Sequence, residues 1–330
     1  MTYEEFLQEW QSDSPTLLVH TSGSTGKPKP LLVEKRRMVA SAQTTCQFLR
    51  LRRGDTALLC LPLDYIAGKM MAVRAISCGL RLQCVEPSGH PLRDLTAAPD
   101  FVAMVPMQVY NTLQVPEEQA LLKQVRHLII GGGAVDESLE AALRDFPNAV
   151  WSTYGMTETL SHIALRRISG PEASLWYEPF EAVRVSQNAD GCLVIDAPSV
   201  CATTLTTNDI VEMHADGRRF RILGRRDNTI CSGGLKLQME ELERRLKPLL
   251  HCSFMITKCK DSKFGEVVVL LIEGGDGATA RQACEECLSA YERPKHILAI
   301  PQLPLTPTGK PARAEAQRIA EQESMKNRKS

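Results

Sequence analysis

Between the apolar runs Leu17-Leu18-Val19 and Leu31-Leu32-Val33 lie nine residues, Thr21-Ser22-Gly23-Ser24-Thr25-Gly26-Lys27-Pro28-Lys29, that bring together four hydroxyls, two glycines and two lysines. The mixture is suited to holding phosphate. Glycine lets backbone N–H groups turn toward an anion with no Cβ in the way, hydroxyls donate to phosphate oxygens or ligate a metal, and lysines balance the charge. The spacing is not that of a Walker A loop, which needs glycine where Thr21 stands and Ser or Thr where Pro28 stands. Taken alone, these residues also read as a polar hairpin loop with no ligand.

Four other places carry chemistry. Leu128-Ile129-Ile130 runs into Gly131-Gly132-Gly133-Ala134, and a glycine run at a strand end lets a flat ring lie against the backbone. Ala149-Val150-Trp151-Ser152-Thr153 runs into Tyr154-Gly155-Met156-Thr157-Glu158, where Tyr154 can stack on a base, Thr157 can donate to a phosphate and Glu158 can hold Mg2+ through oxygen. The same pentapeptide also reads as a helix start that Thr157 and Glu158 merely cap. Arg74 is one guanidinium in the otherwise apolar run that follows Lys69, so it either snorkels to the surface or meets a buried anion. Pro304-Leu305-Thr306-Pro307-Thr308-Gly309-Lys310 is a Pro/Gly-pinned loop that presents one lysine, which on its own is a surface feature.

These residues need elements to position them. Residues 1–11 read as a short amphipathic helix and 34–49 as a longer one, and 57–61, 81–85, 101–105 and 126–130 read as strands separated by helical or turn segments. Helical patterns at 109–113, 117–124 and 136–144 fit between and after them. Strands alternating with helices imply an α/β fold with a mostly parallel sheet, and ligands then belong at the carboxyl ends of its strands. From Glu181 to Arg221 short alternating strands suggest a small antiparallel β subdomain. Strands at 253–256 and 266–272, helices at 239–246 and 279–291, a strand opening at Arg293 and a charged helical tail make a smaller α+β unit. The expected division is therefore residues 1–226 and residues 227–330, in keeping with 330 residues making about two domains.

Composition removes several classes. Lys plus Arg and Asp plus Glu each number 39, so no net field attracts nucleic acid or an anionic membrane. The first residues are acidic where a secretory signal would be basic, and no apolar run approaches the ~20 residues that span a bilayer, so a cytoplasmic protein without membrane insertion is expected. The 11 cysteines stand singly in apolar surroundings. Cys284 and Cys287 form the one C-x-x-C, inside a helical pattern with no second pair, and read as buried or idle thiols rather than a metal or redox site. A homodimer is compatible with the sequence.

The segment TSGSTGKPK resembles the phosphate-binding signature of the adenylate-forming (AMP-binding) superfamily, and further segments in the same order resemble the rest of that family's motifs. The resemblance covers most of this chain but only the later part of a usual member, whose long N-terminal region precedes the phosphate signature. It implies that Thr21, Ser22, Gly23, Ser24, Thr25, Gly26 and Lys29 take phosphates of ATP. Gly132, Gly133, Ala134, Tyr154 and Gly155 would face the adenine, Thr157 the α-phosphate, and Glu158 the Mg2+. Thr207-Asn208-Asp209 stands where the family has Thr-Gly-Asp, so Asp209 would bind the ribose hydroxyls; Asn208 in place of glycine is a departure. Arg225 matches a ribose-contacting arginine, Asp227 the pivot of the family's mobile C-terminal domain, and Gly233, Gly234 and Lys236 the hairpin that serves CoA, with Cys231 where lysine is common. Lys310 matches the catalytic lysine. Within the superfamily, LPLDYIAGKMMAVRA looks most like the corresponding stretch of o-succinylbenzoate–CoA ligases of menaquinone biosynthesis, and Arg74 or Lys69 would then meet the second carboxylate of an aromatic acid. The function so implied is ATP-dependent activation of a carboxylic acid and transfer to CoA. A ligase for another aryl or medium-chain acid, an adenylation domain loading a carrier protein, and an inert nucleotide-binding homologue are the competing readings.

Overall fold

The computed structural model describes residues 1–20, 30–306 and 311–327. Thr21, Ser22, Gly23, Ser24, Thr25, Gly26, Lys29 and Lys310 lie outside the described residues. The chain opens with the helix Tyr3–Gln11, fixed by a capping box in which the Thr2 hydroxyl accepts from the Glu5 N–H at 3.2 Å and the Glu5 carboxylate accepts from the Thr2 N–H at 2.7 Å. The strands Thr16–His20 and Pro30–Glu34 then pair antiparallel, with His20 opposite Pro30.

A seven-stranded sheet forms the centre of the larger part, in the order Arg81–Cys84, Thr56–Leu59, Phe101–Met104, His127–Ile130, Ala149–Gly155, His162–Arg167, Glu178–Pro179. The first five run parallel and the last two antiparallel. Phe101–Met104 is buried at every position, as a parallel strand covered on both faces should be. One continuous core extends from Phe6 to Phe220. Next to it the strands Arg184–Gln187, Cys192–Asp196, Leu205–Met213 and Phe220–Arg225 form a four-stranded antiparallel meander. The expected α/β architecture with a mostly parallel sheet and a small antiparallel sheet is the one observed.

The remaining residues build a five-stranded sheet around the strand Gly265–Glu273, which pairs antiparallel with Phe254–Asp261 and parallel with His296–Ile300. Its apolar run sends Val268, Leu270 and Ile272 to one face, against the helices Met239–Leu246 and Gly277–Cys287, and Val267, Val269 and Leu271 to the other, against the helix Arg313–Asn327. Each of those side chains contributes about 1.5–3 kcal/mol by leaving water. The helix expected over 279–291 stops at Cys287, because Leu288 turns extended and the Glu292 carboxylate takes the Ser289 N–H at 2.8 Å. The strands Thr229–Ser232 and Leu235–Gln238 form a hairpin whose two turn residues, Gly233 and Gly234, both have positive φ. Among the described residues no helix is long and apolar enough to cross a membrane, and Cys284 and Cys287 are free thiols.

Candidate active site

Two regions far apart in sequence meet at the carboxyl end of the strand Ala149–Gly155: the strand itself, and the paired strands Leu205–Met213 and Phe220–Arg225. That strand turns back into His162–Arg167 so closely that a Cβ on Gly155 would stand 2.3 Å from the Ser161 carbonyl oxygen, so only glycine fits there. Just before it, the Tyr154 ring packs edge-on against Phe220 at 5.1 Å, and its hydroxyl donates to Asp209 Oδ2 at 2.6 Å. The other oxygen, Oδ1, accepts from Arg225 Nη1 at 3.1 Å. Burial first, and then the Asp209 carboxylate, push the Tyr154 phenol well above its ordinary value, so it stays a donor. A carboxylate held by two donors keeps lone pairs free to accept from neighbouring hydroxyls of a ligand.

Beside this corner, Gly132, Gly133 and Ala134 are exposed directly after the strand His127–Ile130, and Thr157 and Glu158 lie in a short 3-10 turn, Thr157–Thr159. Thr157 is buried. The Glu158 carboxylate is exposed and has no hydrogen bond or ion pair among the described residues; its backbone carbonyl accepts from the Cys201 thiol at 3.5 Å. A free carboxylate suits a hard cation that keeps most of its ligands as water and phosphate, which is how Mg2+ is commonly held.

A second polar cluster lies behind that turn. Arg74, in the helix Ile66–Cys78, is only 2% exposed, which excludes snorkelling, and it meets no carboxylate among the described residues. Its Nη2 donates to Ser161 Oγ at 2.5 Å, its Nη1 touches the Met71 sulfur at 3.7 Å, and its Nε has no partner. Ser161 also contacts His162 Nδ1 at 3.3 Å, and His162 Nε2 lies 3.1 Å from Thr45 Oγ1, whose own proton goes to the Ser41 carbonyl at 3.1 Å. Burial, then the Arg74 charge, hold the His162 imidazole well below its ordinary value. The neutral ring therefore carries its proton on Nε2 toward Thr45 and accepts from Ser161 on Nδ1. Burial lowers Arg74 itself to about 10, so it remains cationic at neutral pH. The same guanidinium, after the neighbouring Cys46 thiol, lowers Cys78.

Ser161, His162 and Thr45 are absent from the sequence reading. The one available signal is a Ser-His pair opening an apolar run just past the Tyr-Gly-Met-Thr-Glu segment. Lys69 is not brought to Arg74: its Nζ lies 3.4 Å from Glu9 and 5.5 Å from the Phe6 ring centroid, on the side of the first helix.

Asp227 sits in the 3-10 turn Arg226–Asn228 and accepts from Arg225 Nη2 at 3.3 Å and Asn208 Nδ2 at 3.0 Å. Lys236 is exposed on the glycine hairpin, opposite Cys231. The two parts of the chain also touch through Lys247 and Asp136 at 3.0 Å. Either side of residues 307–310, Leu305 bridges to Pro311 and the Ala312 N–H donates to the Pro304 carbonyl at 2.9 Å. Immediately after, Arg313 makes a two-pronged pair with Glu243, at 2.6 and 2.7 Å, and donates to the Ile256 carbonyl at 2.8 Å.

Residues 3–179 match the family model described as AMP-binding enzyme. A 2-succinylbenzoate–CoA ligase of Bacillus mycoides (strain KBAB4) is 26% identical over 356 residues, an alignment that covers 97% of this chain and 73% of that protein. Among solved structures, an acyl-CoA synthetase (AMP-forming)/AMP-acid ligase II-like protein from Dyadobacter fermentans is similar with a TM-score of 0.65 at 35% identity, covering 94% of this chain and 92% of that one. The o-succinylbenzoate CoA synthetase of Bacillus subtilis, in complex with its acyl-adenylate intermediate, is similar in fold with a TM-score of 0.77 at 22% identity, covering 93% and 69%.

Proposed function

The chain belongs to the AMP-binding enzyme family, and from that premise we propose that it is an AMP-forming acid–CoA ligase whose acid is 2-succinylbenzoate. The observation that carries the class is the Tyr154–Asp209–Arg225 group, in which two sheets together present one doubly held carboxylate to a ligand with vicinal hydroxyls. The choice of acid rests on Arg74, a buried cation with no carboxylate among the described residues and an unpartnered Nε, together with the identity to 2-succinylbenzoate–CoA ligases.

In this reading Asp209 takes the ribose hydroxyls, Tyr154 and Gly132 to Ala134 flank the adenine, and the hydroxyl-rich segment from Thr21 to Lys29 receives the β- and γ-phosphates. Thr157 donates to the α-phosphate. Glu158 would hold Mg2+, which when bound offsets phosphate charge. An oxygen of the substrate carboxylate attacks the α-phosphorus as the bond to the bridging oxygen breaks and pyrophosphate departs. Lys310 supplies a point charge where negative charge gathers in that transition state. The CoA thiol then attacks the acyl carbon, and AMP leaves. Between the two steps the C-terminal part turns about Asp227, bringing the Gly233-Gly234 hairpin and Lys236 to the thiol arm. Arg74, oriented by Ser161, meets the second carboxylate of the acid.

A panel of acids with ATP and CoA, scored by AMP release, tests the proposal. 2-Succinylbenzoate should give the highest kcat/KM; no acid-dependent pyrophosphate release would end the ligase reading, and release without acyl transfer to free CoA would favour a carrier-protein acceptor. Lys310→Ala should lower adenylate formation by at least ~100-fold with ATP affinity kept within a few fold.

A further inference from the structure

We propose that Asn208 is a latch on the hinge: its side-chain amide holds the Asp227 carboxylate against the larger part of the chain and slows reorientation of the residues that follow. The inference rests on the reading of Asp227 as the pivot, and it begins from the one residue of the Thr-Asn-Asp segment that departs from the family's Thr-Gly-Asp.

Both ends of that side chain are engaged. Asn208 Nδ2 donates to Asp227 Oδ2 at 3.0 Å, and its Oδ1 accepts from Arg226 Nη2 at 3.1 Å. Arg226 is in turn tied by Nη1 to Asp190 Oδ2 at 3.2 Å, on the turn before the strand Cys192–Asp196. Asp227 Oδ2 also takes Arg225 Nη2 at 3.3 Å. The carboxylate of the pivot is thus gripped by one donor from the strand Leu205–Met213 and one from the end of Phe220–Arg225, both belonging to the antiparallel sheet of the larger part. A glycine at position 208 would leave the arginine alone, and turning the backbone at residue 227 would then break one hydrogen bond instead of two. The grip also adjoins the nucleotide corner, since the same Arg225 donates through Nη1 to Asp209 at 3.1 Å. A ligand whose hydroxyls donate to Asp209 therefore competes there with the guanidinium that also holds Asp227, while Asn208 keeps its own bond.

Amide hydrogen exchange on the full, substrate-free chain tests this, with Asn208→Asp as the decisive variant. Aspartate keeps the size of asparagine and the acceptor for Arg226 but replaces the donating amide with a carboxylate facing Asp227. Exchange at the amides of residues 226–229 should be about fivefold faster than in the wild type, as expected for loss of one modest, partly exposed hydrogen bond that resists local opening. Amides of the strand Gly265–Glu273 should keep their wild-type rates, which serves as the folding control. Raising the salt to about 1 M, where the Debye length is roughly 3 Å, should bring the hinge of the Asn208→Asp variant back toward the rate of Asn208→Gly, because screening removes repulsion but restores no donor. Wild-type exchange in both variants overturns the latch; so does a rise in Asn208→Gly alone, which would mark a role in backbone shape only. The measurement uses no substrate, so it stands apart from the acid panel: absence of AMP release would end the ligase reading, and unchanged exchange ends the latch.

Discussion

Two arginines withdrawn from water show how differently one side chain can be used. Arg313 meets both oxygens of Glu243 and the Ile256 carbonyl, and Glu243 also accepts from the Ile256 N–H at 2.8 Å, so both charges are fully matched. Arg74 is more deeply buried, yet among the described residues it has one hydroxyl, one sulfur and an Nε without a partner. The first arrangement is complete in the chain itself and braces the helix that follows Lys310. The second is incomplete among the described residues, and the proposed ligase reading assigns to this buried cation an anion of the acid.

If that contrast is right, the two sites break differently. Arg313→Ala should cost about 2–3 kcal/mol in urea unfolding, because it strands a carboxylate only 22% exposed. Arg74→Met should leave stability within about 1 kcal/mol of the wild type, since removing a poorly matched buried charge also removes its desolvation cost. Its effect should appear instead in kcat/KM for 2-succinylbenzoate, lower by roughly 10- to 100-fold as for a lost charged hydrogen bond, with monocarboxylates unaffected. An equal loss for monoacids would erase the distinction between the two arginines. The smallest effect sharpens it: Cys78 should react with a disulfide reagent about two- to fivefold more slowly at pH 8 in Arg74→Met, because the guanidinium favours the thiolate. The difference should vanish as pH rises and the thiol ionises in both proteins.

The two arginines also mark where sequence reasoning runs out. Arg74 stands out because a lone cation in an apolar helix is a local anomaly, but Lys69 lies on the same helix and nothing in the run says which cation faces which neighbour. Glu9 claims Lys69 only because the first helix packs there. Ser161 and His162 are invisible for a related reason: the turn after Gly155 that brings them back alongside their own strand in the sheet is a tertiary close approach without a periodicity of its own. By contrast, four of the five parallel strands announce themselves as short apolar runs, and Arg81–Cys84, the exposed edge strand, is the exception. The Val267–Ile272 run likewise has only one simple solution, a strand covered on both sides. Tyr154, Asp209 and Arg225 are each legible as chemistry; the Asp209–Arg225 bond comes from strand register within one sheet, and the Tyr154–Asp209 bond from the packing of two sheets.

The helix that carries Arg74 is seated in an unforgiving way. A Cβ on Gly68 would fall 2.3 Å from the Pro62 carbonyl oxygen and 2.8 Å from that of Leu61, so this turn of helix rests bare backbone on bare backbone. Main chain offers no rotamer by which to yield. Side chains around this helix can be exchanged, whereas sliding or tilting the rod itself would unseat the joint that sets where its guanidinium stands.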